Sequence, residues 1–413
     1  MSAWVGFRCT QCAKELPPEA EAGLCPSCKG ILFAAYDTAA LARRLGRRDF
    51  EARPPAMLER WAELMPVRDA ATFRRVSLGE QASPLLESEP LARAADVSRL
   101  LLKMDAQLPT GSLKDRPMSA VMCGAVERKA PVVCMASSGN AGASMAAHAA
   151  RAGLQAVIGV FAGVPAAKLC KIRVHAPTVV QVAGGMDDAE EAIQSLARRG
   201  HWFNGEAFVN PYALEGEKSI AYELAIQCGW DPPDAVVFPL GSAACVVASY
   251  KGFQELAALG CIGKMPRLIG VQFSACAPIA AAFAAGQTQV ARFQRTPSFS
   301  STLMHEKPFA GELALRIFRE TGGIATAATD DEVRAAMGLL GQGGIFAEPA
   351  GAIALAGVMR LRREGRLEPN LRVACLVSGN GLNYIEAAPQ GGKLTEPLPL
   401  GAIQSMAPEA LLS

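Results

Sequence analysis

The sequence carries almost no net charge, +2 over 413 residues, which leaves no electrostatic case for a nucleic-acid or membrane-surface partner. Long hydrophobic runs are also missing. The most apolar stretches, near residues 235–249 and 275–285, are broken by proline, glycine or serine and are too short to span a bilayer. Met1 to Arg8 is neither basic nor followed by a long apolar core, so no secretion signal is expected and a cytoplasmic location is. There are no internal repeats, no G-x-G-x-x-G and no Walker pattern, so nucleotide binding is a poor fit. What remains is a chain with 50% hydrophobic and 19% charged residues, apolar enough for a sizeable core and long enough for two or three domains.

Of twelve cysteines, eight are scattered singly through apolar segments. That pattern suits small buried residues in a reducing compartment and not a disulfide framework. The other four form Cys9-x2-Cys12 and Cys25-x2-Cys28, with twelve residues between the pairs. Two such knuckles complete a tetrahedral zinc site, and four thiolates leave no open position, so the expected role is structural. The charges around them (Arg8, Lys14, Lys29 against Glu15, Glu19, Glu21) are mixed and form no basic stripe, which weakens a nucleic-acid role for the ribbon.

Four segments are expected: a zinc-ribbon-like segment at 1–37, a helical connector at 38–75, a lysine-bearing α/β domain at 76–230 and a second α/β domain at 231–413. In the connector, Arg43, Arg44, Arg47, Arg48 and Pro54-Pro55 read as an exposed, solvated face. From residue 99 onward, apolar runs of four to six residues alternate with helical patterns, as in a largely parallel sheet. Residues 210–218 read as a loop feeding a helix at 219–227, and the tail after Pro389 reads as peripheral.

Within this frame Lys114 stands out. It follows the turn Pro109-Thr-Gly-Ser112 and precedes an apolar helical run, residues 118–126. A lysine at a turn-to-helix junction lies near the positive end of the peptide dipoles, and with burial its amine can become a nucleophile. Alone, it is more ordinarily a solvated residue.

Three loops follow apolar strands at their carboxyl ends, where parallel sheets place ligands. Ser137-Ser138-Gly139-Asn140-Ala141 opens a helix and suits an anion, although a simple serine N-cap explains it nearly as well. Gly241-Ser242-Ala243-Ala244-Cys245 would let backbone N–H groups close around a phosphate. Ser378, flanked onward by Gly379-Asn380-Gly381, offers a strand-end hydroxyl, though turn chemistry accounts for it equally.

In that order, and with the ribbon, these pieces resemble the threonine synthase branch of the fold type II pyridoxal-phosphate enzymes. The resemblance extends through Leu78-Gly-Glu80, Ser83-Pro-Leu85, residues 182–189 and 210–219, Lys251-Gly-Phe253 and Glu348-Pro-Ala350. It implies two α/β domains with a cleft between them, pyridoxal 5'-phosphate as cofactor, a small amino-acid substrate and a homodimer. It further implies that Lys114 holds the cofactor covalently and moves protons, and that Asn140 bonds the ring hydroxyl. Ser138, Gly139, Asn140 and Ala141 would contact the substrate carboxylate, Gly241 to Cys245 would cradle the phosphate, and Ser378 would face the ring nitrogen. A neutral hydroxyl there moderates the electron sink and favours elimination and replacement over transamination.

The departures bear on substrate. The phosphate loop has fewer glycines than is usual in the family, and Leu113 and Pro117 replace the customary ends of the lysine turn. Ala207, Phe208 and Ala213 stand where one branch binds the phosphate of O-phosphohomoserine. Residues 296–308 also diverge; Ser300, Ser301 and His305 are candidate substitutes, with His305 read first as a surface histidine. The expected reaction is γ-elimination followed by water addition at Cβ. The alternatives are β-elimination or β-replacement on a serine-, threonine- or cysteine-type or O-phospho amino acid and, from another class, a ribbon module on an inactive scaffold.

Overall fold

The computed structural model describes residues 2–389, Ala22 excepted, and Pro399. Apart from that proline, the tail read as peripheral lies outside the described residues.

Trp4–Cys9 (β1), Glu15–Leu16 (β2) and Leu32–Tyr36 (β3) form an antiparallel ribbon in the order β2-β1-β3. The body is built on two further sheets. Their strands are short runs of Val, Ile, Leu and Ala that must be covered on both faces. Leu85–Glu87 (β4), Arg99–Lys103 (β5), Ala235–Pro239 (β10), Arg267–Phe273 (β11), Ile324–Ala328 (β12) and Arg372–Leu376 (β13) make the larger sheet, ordered β12-β11-β10-β13-β5-β4. All its pairs are parallel except β4 with β5. Val132–Ala136 (β6), Gln155–Phe161 (β7), Thr178–Val182 (β8) and Phe203–Asn204 (β9) make a smaller, fully parallel sheet, ordered β8-β7-β6-β9.

The boundary expected at 230/231 therefore does not divide the sheets. The chain enters the larger sheet at β4 and β5, crosses to the smaller one for residues 132–204, and returns. The reason lies in β5. Its Leu100, Leu101 and Leu102 are buried, and β5 takes its second neighbour from the far end of the chain, Leu100 opposite Val373 and Leu102 opposite Cys375.

Two local expectations are corrected as well. Residues 38–75 are not merely an exposed connector. Arg43, Arg44, Arg47 and Arg48 do face solvent, but Phe50, Trp61, Leu64 and Met65 are fully buried. The Trp61 ring lies 4.8 Å from that of Tyr222 and 4.9 Å from that of Phe50, within aromatic contact range. Residues 210–218 form a helix, Pro211–Glu217, and not a loop. The Asn210 side chain accepts from Tyr212 N–H and Pro211 fills the first turn, two helix-start signals that outweigh the loop-like composition.

That helix packs closely on the one that follows Lys114, Asp115–Glu127. The contact requires Gly216, because a Cβ there would lie 2.0 Å from the Arg116 carbonyl oxygen. Among the described residues no helix is long and apolar enough to cross a membrane.

Candidate active site

Lys114 is the N-cap of the Asp115–Glu127 helix. Its turn is stitched to the strand-end serine: Leu113 N–H donates to the Ser378 carbonyl at 2.9 Å and Asn380 N–H to the Gly111 carbonyl at 2.9 Å. Beneath the lysine, the Asp115 carboxylate accepts from Thr110 N–H (2.8 Å), the Thr110 hydroxyl (2.6 Å) and the Ser144 hydroxyl (2.7 Å). Arg116, wholly buried, donates to Asp105 and Glu223 at 2.7–2.8 Å. A guanidinium forked between two carboxylates fixes the first helical turn in one orientation. The Lys114 side chain itself is 31% exposed and leans on Glu217, Nζ to Oε1 3.3 Å.

This pairing changes the expected electrostatics. Burial, the largest single influence, would lower the Lys114 pKa, as its position suggested, but Glu217, with smaller help from Cys245 and Glu348, opposes it and the net shift is upward. Glu217 was not singled out in the sequence. An acidic residue closing the 210–217 stretch, just ahead of an apolar helix, is the only signal it left.

The other predicted pieces converge on the same cleft. Ser378 is buried, and its hydroxyl donates to the Ala350 carbonyl at 3.0 Å. Asn140 opens the Asn140–Ala152 helix, and its Nδ2 donates to Glu348 Oε1 at 2.9 Å. The Glu348 N–H in turn donates to the Gly379 carbonyl at 3.1 Å. Burial pushes the Glu348 carboxyl up to about 7, against the pull of Lys171 and Asn140. Glu348 is a second site residue that the sequence offered only as part of a motif. Ser138 and Ala141 are partly exposed and Gly139 is open to solvent, so the loop is free to receive a ligand.

At residues 241–245 the chain passes from β10 into the Ala244–Ala258 helix. Ala243 takes φ +76°, a left-handed conformation that turns successive N–H groups the same way. The N–H groups of residues 241–245 have no acceptor among the described residues, as the start of a helix leaves them. Small side chains keep this cradle clear, so the departure from glycine does not close it. Cys245 is near enough to feel the charge of Lys114 and Glu217, and burial pushes its thiol well up, which keeps it neutral.

The divergent segment has mixed fates. His305 is exposed, as expected, but with Leu303 it lies against Gly241, and desolvation and the Lys114 charge lower its pKa. It is a cleft-rim residue rather than a mere surface histidine. Ser300 is buried in its own turn, 2.8 Å from the Thr302 hydroxyl. Ser301 is exposed, 3.4 Å from Lys168 Nζ. Phe208 is buried and stacked on Phe309, and Ala213 is buried, so neither gives a polar atom to a ligand.

The ribbon brings Cys9, Cys12, Cys25 and Cys28 together, with all four sulfurs within 4.8 Å of one another. The shortest separations are 3.4 Å (Cys9–Cys28) and 3.6 Å (Cys12–Cys25). An ideal zinc tetrathiolate, with Zn–S about 2.3 Å, has edges of about 3.8 Å, so the group could hold zinc. The ribbon is clamped to the body through Glu215, which accepts from Ala34 N–H (3.1 Å) and the Tyr36 hydroxyl (2.8 Å) and pairs with buried Lys218 and Lys251.

Residues 76–379 match the family described as pyridoxal-phosphate dependent enzyme. The threonine synthase of Methanocaldococcus jannaschii is 32% identical over 383 residues, which is 92% of this chain and 93% of that protein. That of Mycobacterium tuberculosis (strain H37Rv) is 29% identical over 351 residues, 84% of this chain and 94% of the relative. Among solved structures, a threonine deaminase from tomato, Solanum lycopersicum, superposes with a TM-score of 0.62 at 19% identity, covering 78% of this chain and 81% of that one. A fungal L-serine ammonia-lyase from Rhizomucor miehei does so with 0.62 at 21%, covering 72% and 93%. These two likenesses speak to the fold alone.

Proposed function

Because this chain belongs to the pyridoxal-phosphate-dependent enzymes and is a lyase of that family, we propose that Lys114 is its cofactor lysine and that its reaction is threonine synthase-like. The observation that carries the assignment of Lys114 is its turn, clipped to Ser378 through Leu113, with a partly exposed side chain whose amine rests on Glu217. The free N–H groups of residues 241–245 suit the cofactor phosphate, Asn140 the ring hydroxyl and Ser378 the ring nitrogen. Ser138, Gly139, Asn140 and Ala141 suit the substrate carboxylate.

When bound, the cofactor supplies an electron sink for negative charge at the substrate Cα. The chain supplies the rest. Lys114 Nζ takes the α-proton and redelivers it, the Ser137–Ala141 turn orients the carboxylate, and the buried Arg116 network keeps the lysine from wandering. Loss of a γ-leaving group and addition of water at Cβ then give threonine. Similarity to threonine synthases over more than nine-tenths of both chains supports this reaction.

One observation favours a second reading. Phe208 and Ala213 offer no side-chain donors for a phosphate ester, which favours β-elimination on a serine- or threonine-type substrate. Two measurements test the proposal. The visible absorbance of the protein-bound cofactor should vanish in Lys114→Ala. Phosphate should be released from O-phosphohomoserine together with threonine. Ammonia and keto acid from serine or threonine, with no phosphate release, would replace the first reading by the second.

A further inference from the structure

Glu217 closes the Pro211–Glu217 helix with 1% of its side chain exposed. One oxygen meets Lys114 Nζ at 3.3 Å, and the other, Oε2, is buried with no hydrogen-bond partner among the described residues. A carboxylate so placed is under-compensated, because a buried acceptor without a donor keeps its full desolvation cost.

The charged and titratable groups that it feels are Lys114 ahead of the lysine helix, Arg116 within it and Asp105 from the turn after β5, and Cys245 of the phosphate-loop helix feels its charge in turn. Arg116 is engaged by Asp105 and Glu223, Asp105 repels, and Cys245 is neutral. Lys114 is the one cation in salt-bridge reach of Glu217 among the described residues. If the lysine gives up its charge, no cation in salt-bridge reach among the described residues holds the carboxylate ionised, and Arg116, which still favours the charge, is already engaged.

Building on Lys114 as the cofactor lysine, we propose that Glu217 is the proton acceptor that frees the Lys114 amine for bonding. An N–H bond of the ammonium breaks, an O–H bond forms on the carboxyl, and the ion pair becomes a neutral pair. The free amine condenses with the aldehyde of the cofactor, its two remaining hydrogens leaving with the carbonyl oxygen as water. The proton stays on Glu217, at a position closed to solvent. Burial already raises the Glu217 pKa in spite of Lys114, in keeping with a carboxyl ready to accept.

The test uses protein stripped of cofactor and then mixed with pyridoxal phosphate over a pH series. Uptake is followed by visible absorbance, and the attachment site is fixed by borohydride reduction and peptide mass. Glu217→Gln keeps the shape but cannot take the proton. Its uptake at pH 7 should be at least about tenfold slower than wild type and should recover as the pH is raised, at a pH below the ordinary lysine range of about 10.4 because burial alone lowers the Lys114 pKa. Glu217→Asp should fall between. Infrared difference spectra of wild type, loaded minus stripped, should show the carbonyl stretch of a protonated carboxylic acid. Repeated on Glu348→Gln, which removes the other protonatable carboxyl of the site, that measurement decides the matter even if Glu217→Gln fails to fold.

Uptake by Glu217→Gln at pH 7 as fast as wild type, or faster, would mean that Glu217 only pins the ammonium, and would overturn the proposal. So would absence of the carboxylic acid stretch in wild type. A reduced adduct on a residue other than Lys114 would instead remove the cofactor-lysine assignment, and this role of Glu217 with it.

Discussion

Asn140 and Glu348 face each other across the boundary between the two sheets, Nδ2 donating to Oε1 at 2.9 Å. The first residue belongs to the helix after β6 and the second caps the helix Pro349–Arg363. Burial holds the Glu348 pKa at about 7, above the 4.5 of a free glutamate. Between those values the folded protein keeps a proton that the unfolded chain has lost, so stability falls as pH rises through the window. The loss should be on the order of 3 kcal/mol between pH 4.5 and 8. Urea unfolding of cofactor-free wild type and Glu348→Gln at both ends checks this. The substituted protein should lose that component, and identical pH dependences would refute it.

Zinc analysis should find one ion per chain. Cys28→Ser should lose the metal, whereas Cys170→Ser, exposed and outside the cluster, should keep it. Strong chelators should lower the melting temperature, because ribbon folding and metal binding are one equilibrium. Trp4 packs edge-on against Phe7 and Tyr212, so its fluorescence should shift to the red in step with metal loss.

Two helical glycines should respond oppositely to alanine. At Gly216 the new methyl would stand 2.0 Å from the Arg116 carbonyl oxygen, and Gly216→Ala should destabilise by about 3 kcal/mol or more. At Gly338, inside the helix Asp330–Gln342, a Cβ meets nothing within 4 Å, and Gly338→Ala should stabilise by about 0.5–1 kcal/mol. Denaturant midpoints of the pair, measured without cofactor, give the comparison.

Arg116→Met should cost about 3–5 kcal/mol, since it leaves Asp105 and Glu223 buried with only Lys103 between them. Adding Asp105→Asn should recover part of that loss. A single substitution with wild-type stability would show that the network does not depend on the guanidinium.

Much of the site was legible because its chemistry is carried by local signals. The lysine turn, the small-residue loop and the strand-end serine each occupy a few consecutive residues, and the expected alternation of apolar strands with helices from residue 99 onward is the order observed. What escaped was relational. Glu217 gains its meaning from a helix crossing that Gly216 permits, and Glu348 from Asn140, which opens a helix after a strand of the other sheet. The strand Ile324–Ala328 and its flanking helices, Gly311–Glu320 and Asp330–Gln342, also went unread. Both helices did carry local signals, an apolar face on Gly311–Glu320 and a Thr329–Glu332 capping box ahead of Asp330–Gln342; only the alanine-rich strand between them is weakly marked. The ribbon was legible as a metal knuckle but not as part of the body, because its clamp on Glu215 joins residues 34–36 to residue 215.

The place of β5 in the larger sheet also sets the order in which the protein can be completed during synthesis. Leu100 and Leu102 wait for Val373 and Cys375, partners offset by 273 residues. At about 5–20 residues per second, the ribosome needs roughly 15–55 s to deliver them. The smaller sheet, whose strands lie within residues 132–204, can form early, while β5 keeps an unpaired apolar edge until nearly the whole chain has emerged. Nascent chains arrested before residue 372 should therefore be held by chaperones and be cleaved near residues 99–103, and those released past Ser378 should not.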